Sequence, residues 1–450
     1  MPRNLALTAL NNRENIPGFQ ERTLEGAFDG NPRLDQRDRA FSLHLVQGVL
    51  RWQIKIDWII KQSVRFPFAN IELPVLNILR LAVYQIFYLD RVPESAAVNE
   101  AVKQAGKLPK KNLRGVVNGI LRNICRKKSE MVFPDADRDP PLHLAITYSY
   151  PMWLVKKWIR EHGVGEAEKM LRAGNDIPRL FIRTNTLGTT REKLLEILRE
   201  EGVDCSLDPC CPEGIEITRL NGPLHKLQAF HQGLFQVQSR PAQICSHLLF
   251  PESGESVLDV CAGFGGKSTH MAALMKDRGF ILGVDTNRER IQGLIHSAGR
   301  LGIGSITPII ADATRSLHRL LKRPFQKILV DAPCSGLGVI SRHPDIKLVK
   351  TGKDIERLAD LQQGLLNRAI EVLEPEGKLL YVTCTVSKEE NENNVERFLR
   401  RNSTMALVDL RKCAPGWALD LVDGNGFFRT LPHIHGMEGF FGALFRKEQL

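Results

Sequence analysis

The sequence predicts a multidomain chain in three parts: an all-α bundle in front, a small α+β module, and a C-terminal α/β domain on a mainly parallel sheet with helices on both faces. Three observations carry this. Apolar residues recur at helical spacing through the first 130 or so positions, and the segment Phe133–Pro141 then breaks the period with three Asp and three Pro in nine residues. From Ser256 onward, short apolar strands alternate with helices. At roughly 150 residues per domain the 450 residues allow about three units, and the changes of pattern place them at 1–135, 145–232 and 233–450.

In the front part, Asp38-Arg39-Ala40-Phe41 leads into LHLVQGVLRWQIKIDWII, and LPVLNILRLAVYQIFYL spaces its apolar residues at three and four, as amphipathic and buried helices do. A third helix follows Val92-Pro93 with AAVNEAVKQAG. A fourth, LRGVVNGILRNIC, is closed by basic residues that suit a helix C-terminus. Between Ala101 and Ser129 stand Lys103, Lys107, Lys110, Lys111, Arg114, Arg122, Arg126, Lys127 and Lys128, with no acid among them. Within a chain of net charge +11, from 62 basic and 51 acidic residues, this run is a candidate surface for a polyanion. A solvated, solubilising face is the competing reading.

In the middle part, Tyr150-Pro151-Met152-Trp153-Leu154 begins a helix carrying Lys156, Lys157 and Arg160. Arg179-Leu180-Phe181-Ile182-Arg183 alternates charged and apolar residues like a half-exposed strand. A small module with basic strands is a candidate nucleic-acid platform, although ordinary solvent-facing positions give the same spacing.

In the last part, SVLDV (256–260), FILGV (280–284), SITPII (305–310), KILV (327–330) and KLLYVT (378–383) alternate with helices expected from Gly266, Asn287, Asp354 and Lys388. Ligands of such sheets sit at the carboxyl ends of the strands, where the sequence places Asp259, Asp285, Asp312 and Asp331. The turn after the first strand, Cys261-Ala262-Gly263-Phe264-Gly265-Gly266-Lys267, has glycines that let the backbone approach a ligand, and Asp285 is placed for ribose hydroxyls. The turn is too short for a GxxxxGK[ST] phosphate cradle. The acidic strand ends favour a cofactor with hydroxyls and an ammonium, S-adenosylmethionine, over one rich in phosphate. Capping of the following helices is the structural alternative for Asp285 and Asp312.

Two cysteines follow strands of this sheet, Cys334 in Asp331-Ala332-Pro333-Cys334-Ser335-Gly336 and Cys384 in Thr383-Cys384-Thr385. One such cysteine is most often a small buried hydrophobe; two at the strand mouths of one sheet point to thiol chemistry. Ser387-Lys388-Glu389-Glu390 reads as a capping box, which would set a helix N-terminus near Cys384 and lower its thiol pKa. Cys334, between Pro333 and Gly336, sits in a turn suited to close approach of a base. Cys261 reads as packing, and Cys125, Cys205, Cys210, Cys211, Cys245 and Cys413 as structural. His343 and Asp345 in RHPDIK either shape a target pocket or form a turn.

Composition bounds the rest. Apolar residues make up 43% and charged residues 25%, ordinary for a soluble globular chain. Nine cysteines without CxxC pairing predict reduced thiols and no metal site. No apolar run reaches membrane-span length and the N-terminus lacks a signal-peptide pattern, so a cytoplasmic protein is expected.

The segments LDVCAGFGGKSTH, VDTN, DAPCSGLGVISRHPDIK and TCTVSKEENE resemble the successive motifs of the RNA cytosine-C5 methyltransferases. A helical front end containing DRAF and VNGILRN is similar to the NusB-like RNA-binding domain of the bacterial RsmB (Sun) type within that family. The resemblance implies a Rossmann-like class I domain that uses S-adenosylmethionine, two RNA-binding parts before it, and methylation of cytosine 967 in 16S rRNA of the small ribosomal subunit. No membrane and no obligate protein partner are expected. It further implies Cys384 as the nucleophile, Cys334 as an aid to product release, and Asp331 in contact with the cytosine and the reacting end of the cofactor. The residues from Cys261 to Lys267, with Asp285, Asp312 and Asp331, would hold the cofactor.

Two positions depart from the pattern. Gly263-Phe264 stands where the family commonly has Ala-Pro, and Tyr150 where a His often precedes Pro-x-Trp, which bears on cofactor affinity and the RNA surface. Because DNA cytosine methyltransferases use a Pro-Cys cysteine as nucleophile, swapped roles for Cys334 and Cys384 stay open. So do a different rRNA or tRNA cytosine as target and a non-catalytic RNA-binding assembly factor; two exposed thiols speak against the last.

Overall fold

The computed structural model describes residues 1–12, 24, 26–28, 30–31, 34–110, 112–220, 222–315 and 324–449. They form two compact units, residues 1–176 with 342–350 and residues 177–341 with 351–450. Among the described residues no helix is long and apolar enough to cross a membrane.

Among the described residues the first unit opens with the helices α1 (Pro2–Asn11), α2 (Gln36–Ser63), α3 (Leu73–Tyr88), α4 (Glu94–Ala105) and α5 (Leu113–Arg126). The last four are the expected ones; α1 is additional, and it buries Ala6, Ala9 and Leu10. Asp35 starts α2 by accepting from the Asp38 N–H at 2.7 Å, a side-chain N-cap. The apolar α3 is buried almost all round, as a helix without a polar face must be. It crosses α2 so closely that a Cβ on Gly48 would lie 2.0 Å from the Tyr84 ring. Arg80 of α3 makes a bidentate pair with Asp57 of α2, both bonds 2.8 Å. The basic residues of α4 and α5 and of the segment between them are exposed, with Lys103 paired to Glu100 and Lys128 to Glu94. Lys111 of that run lies outside the described residues.

The same unit continues through α6 (Pro140–Thr147), α7 (Met152–His162) and α8 (Val164–Ala173). Of the three cations that α7 carries, Lys156 and Arg160 reach solvent, whereas Lys157 is buried and bonded to Glu161 at 2.6 Å. Tyr150 belongs to the core rather than to an RNA-facing surface: it is fully buried beneath the Lys347 ammonium, 4.1 Å from its ring. Lys347 also donates to Asn175 at 2.9 Å, and burial pushes its amine well below the usual lysine range. His343 and Asp345 form turns, accepting from the Ile346 and Leu348 N–H groups through their backbone carbonyls.

The second unit begins with an antiparallel sheet of four strands, β1 (Leu180–Thr184), β2 (Asp204–Leu207), β3 (Gly214–Arg219) and β4 (Phe235–Val237), in the order β2-β3-β1-β4. Helix α9 (Arg191–Glu200) packs on it, capped by Thr190. The half-exposed reading of β1 is corrected. Arg183 is buried and donates to Gln238 Oε1 at 2.5 Å, to the Gly266 carbonyl at 2.6 Å and to Thr269 Oγ1 at 3.0 Å. A charge that alternation would turn to water instead ties this sheet to the glycine-rich turn.

Helix α10 (Arg240–Leu248) leads into the main sheet. Its strands are β5 (Ser256–Val260), β6 (Phe280–Asp285), β7 (Ile306–Ile310), β8 (Phe325–Asp331), β9 (Leu373–Thr383), β10 (Met405–Val408), β11 (Phe428–Thr430) and β12 (Phe440–Lys447). The order is β10-β12-β9-β8-β5-β6-β7, with β11 beside β12. Strands β5 to β9 run parallel, as their alternation with helices requires, and β10, β11 and β12 add antiparallel pairings that the sequence reading did not include. Successive residues feed opposite cores: Leu258, Ile328, Leu379 and Tyr381 on one face, Val257, Leu329, Leu380 and Val382 on the other. Burial on both faces is why these strands read as continuous apolar runs.

Candidate functional site

The chain order reverses at β5, which has β6 on one side and β8 on the other, and a crevice forms where such a reversal occurs. The turn after β5 is held open by left-handed backbone at Cys261 (φ 64°), Gly263 (φ 58°) and Gly265 (φ 80°). At Gly265 a Cβ would meet Leu294 Cδ1 at 2.1 Å, so glycine is needed twice over. Helix α11 (Gly266–Leu274) starts there. Asp285, ending β6, accepts from the Gly263 N–H at 3.0 Å and from the Asn287 N–H at 2.9 Å. Phe264 is 57% exposed and lies over Gly293 of α12 (Arg288–Arg300), where a Cβ would meet its ring at 2.4 Å.

A cavity of about 370 Å³ opens beside this turn, bordered by Cys261, Asp285, Asp312, Thr314, Pro333 and Leu361. Hydrogen bonds from the Thr314 hydroxyl and N–H hold the Asp312 carboxyl below the usual range. Two carboxylates on an otherwise largely apolar wall fit the hydroxyl-bearing half of S-adenosylmethionine. Asp285→Ala should weaken cofactor binding by about 1.5–3 kcal/mol, roughly 10–150-fold, the range for hydrogen bonds to a charged group. Calorimetric titration of the cofactor checks it.

Asp259 parts from this set. It is fully buried under the turn, accepting from Ser268 Oγ at 2.5 Å, and burial pushes its carboxyl up to about 7. An acid whose folded pKa lies above its unfolded value favours folding at low pH, and that contribution is lost as pH rises from about 4 to about 7. Asp259→Asn should therefore flatten the decline in stability between about pH 4 and pH 7, read by urea unfolding at several pH values.

At the carboxyl end of β8, Asp331 accepts from Lys267 Nζ at 2.5 Å. Burial works against the Lys267 ammonium, but Asp331 beside it prevails and raises its pKa. Strands β8 and β9 pair Asp331 with Val382, and this register brings their two following loops together. Cys334 Sγ and Cys384 Sγ are 3.2 Å apart, and the Cys384 N–H donates to Cys334 Sγ at 3.3 Å. The hydrogen bond with Cys384 and burial both push the Cys334 thiol well above its ordinary value. The Cys384 carbonyl accepts from the Gly338 N–H, whose residue passes Gly439 so closely that a Cβ would sit 1.9 Å from the Gly439 oxygen.

The capping box expected at Ser387–Glu390 does not form. Helix α13 (Glu392–Arg401) begins only after Asn391, because the capping partners are used elsewhere. Ser387 Oγ donates to Glu389, and the buried Glu390 carboxylate accepts from the Ser335 N–H at 2.8 Å, from the Ser335 hydroxyl and from Gln362 at 3.0 Å. The local argument for a helix-lowered Cys384 thiol falls with it. Glu390 instead fastens the loop of Cys384 to that of Cys334. Asn391 braces the same turn, accepting from Thr383 Oγ1 at 2.6 Å and donating to the Thr385 carbonyl at 3.0 Å. Asn391 and Gln362 were not singled out from sequence, and Glu390 and Ser335 were read without this role; the one available signal was the polar run KEENEN shortly after a buried strand.

The second unit thus brings together the glycine-rich turn, Asp285, Asp312, Asp331, Lys267 and both cysteines, whereas His343 and Asp345 belong to the first. Residues 246–446 match the 16S rRNA methyltransferase RsmB/F family, residues 1–126 the NusB family, and residues 150–222 the RsmF/B-like ferredoxin-like domain. The chain is 33% identical to the probable ribosomal RNA small subunit methyltransferase B of Bacillus subtilis, over 99% of its own length and 98% of that protein's. It is 31% identical to ribosomal RNA small subunit methyltransferase B of Klebsiella pneumoniae, covering 88% and 90%. Among solved structures, PH0851 aligns with a TM-score of 0.83 at 27% identity over 99% of both chains. NSun6 from Pyrococcus horikoshii with SFG aligns with a TM-score of 0.59 at 26% identity, over 68% of this chain and 100% of that one. Matches that run nearly end to end, on a fold with a cavity at its sheet reversal, lead to one assignment: the chain belongs to the RsmB/F family of S-adenosylmethionine-dependent RNA methyltransferases and carries that family's NusB and ferredoxin-like domains.

Proposed function

We propose that this enzyme methylates C5 of a cytosine in 16S rRNA, cytosine 967 being the first to test, through a covalent bond between Cys384 and C6 of the base. The observation that carries the reading is the pair of sulfurs 3.2 Å apart beside the Lys267–Asp331 pair. Cytosine C5 is too weak a nucleophile by itself, and addition of a thiolate to C6 makes the ring an enamine whose C5 can accept an electrophile. S-adenosylmethionine supplies that electrophile, a methyl group on sulfonium. A water molecule then takes the C5 proton, the C5–C6 double bond reforms as the C6–S bond breaks, and Cys334, held as the thiol, is a hydrogen-bond donor for the departing Cys384 sulfur. Asp331, fixed by Lys267, orients the base edge and the cofactor's reacting end. Reaching C6 and C5 together requires the base to leave its stack. The exposed cations of α4, α5 and the segment between them supply backbone attraction for the RNA.

The test is incubation with labelled S-adenosylmethionine and 16S rRNA from cells lacking the gene, followed by bisulfite mapping. One new 5-methylcytosine in 16S rRNA is expected. Label appearing only in tRNA or 23S rRNA would replace the substrate while keeping the chemistry.

A further inference from the structure

We propose that Glu213, His247 and His270 form a zinc site that fastens the four-stranded module to the helix carrying Lys267. The three come from separate elements: Glu213 immediately precedes β3, His247 lies on α10 and His270 on α11. One donor atom from each falls within 4.8 Å of the others. Glu213 Oε2 stands 2.9 Å from His247 Nε2 and 3.7 Å from His270 Nε2, against the ~3.3 Å between donors of a tetrahedral zinc with bonds of about 2.0 Å. The two Glu213 edges thus lie within a few tenths of an ångström of that spacing, and the His247–His270 edge is bounded by the 4.8 Å that encloses the set.

The second observation is His270 itself. It is 1% exposed, and neither ring nitrogen has a hydrogen-bond partner among the described residues. The 3.7 Å to Glu213 is too long for a hydrogen bond. A buried polar atom left unsatisfied is costly, and coordination would satisfy one of these nitrogens. The His247 and His270 rings meet edge to face, centroids 5.0 Å apart at 86°, and Trp417 backs His247 at 5.1 Å, so packing fixes both rings. The donor set restricts the ion to the first-row transition metals, of which zinc needs no redox partner. Two imidazoles and one carboxylate suit zinc, whereas calcium and magnesium require mostly oxygen. Burial and the nearby Arg183 guanidinium, bonded to Thr269 on the same helix, keep the His270 ring neutral, the form that can ligate a metal. Glu213 and His247 are partly exposed, which leaves the fourth tetrahedral position to water.

The consequence is positional. His270 is one turn beyond Lys267 on α11, and the Glu213 carbonyl accepts from the Thr184 N–H at 2.8 Å, next to Arg183. An ion here would hold the start of α11, and with it the glycine-rich turn, against the module.

The test uses the full chain, stripped with a chelator and titrated with zinc or cobalt(II). Because the paired cysteines could also take zinc, the parent is the Cys334→Ser/Cys384→Ser variant. One equivalent of zinc is expected, with a rise in Tm, and a tetrahedral cobalt spectrum without thiolate charge-transfer bands. His247→Gln and, separately, Glu213→Gln should each lower affinity at least tenfold and remove the zinc-dependent rise in Tm. Absence of stoichiometric zinc in the parent, or binding unchanged in either variant that folds, overturns the proposal. The readouts do not involve methylation, so failure of the proposed rRNA activity leaves this inference standing, and the reverse.

Discussion

Cys384→Ala should abolish methyl transfer, lowering single-turnover rates on the order of 10⁴-fold or more, as loss of a nucleophile does when the other groups act only through it. It should also abolish the covalent RNA adduct seen on a denaturing gel. Cys334→Ala should have the opposite signature, a protein–RNA adduct that accumulates because the Cys384 sulfur leaves poorly without the thiol 3.2 Å away. Both variants should bind S-adenosylmethionine as the parent does, since neither sulfur borders the cavity with Asp285 and Asp312. Adduct formation by Cys384→Ala would reverse the two roles and make Cys334 the nucleophile.

Asp331→Ala should combine two large losses. Lys267 is buried, and without Asp331 its ammonium is left as an uncompensated charge at a cost of about 3 kcal/mol, the lower end for breaking a buried pair because Asp331 is itself a third exposed. Methyl transfer should fall on the order of 10²–10³-fold, the usual effect of removing one group that stabilises the reacting centre. Adding Lys267→Met separates these effects. The double variant removes both charges and should recover most of the stability, because an apolar pair can occupy such a site without penalty, yet it should stay inactive. Urea unfolding and single-turnover methylation, run on both variants, read the two outcomes.

Legibility from sequence followed the range of the interactions. Strands β5 to β9 were readable because each carries a short, largely apolar run between helices, and α2 to α5 because their period holds over three or more turns. The β10–β12 additions were not, since short antiparallel strands are defined by partners rather than by their own pattern. The capping box at Ser387–Glu390 misled for a related reason. Its local chemistry was sound, but Glu390 finds a better set of donors in Ser335 and Gln362, which are distant in the chain. The strand ending in Arg183 was read as half-exposed from its alternation; Arg183 is buried because Gly266 and Thr269 satisfy it there.

What the sequence determined by itself was the α/β class of the catalytic domain, its glycine-rich turn, the strand-end acids and the two cysteines, because each depends on residues within about one element of one another. Tertiary structure alone decided which acids share a cavity, that Asp259 does not, that Lys267 answers Asp331, and that the two sulfurs meet at 3.2 Å. Those facts depend on the parallel register of β8 with β9 and on the Glu390 bridge between their loops, and neither register nor bridge has a local signature.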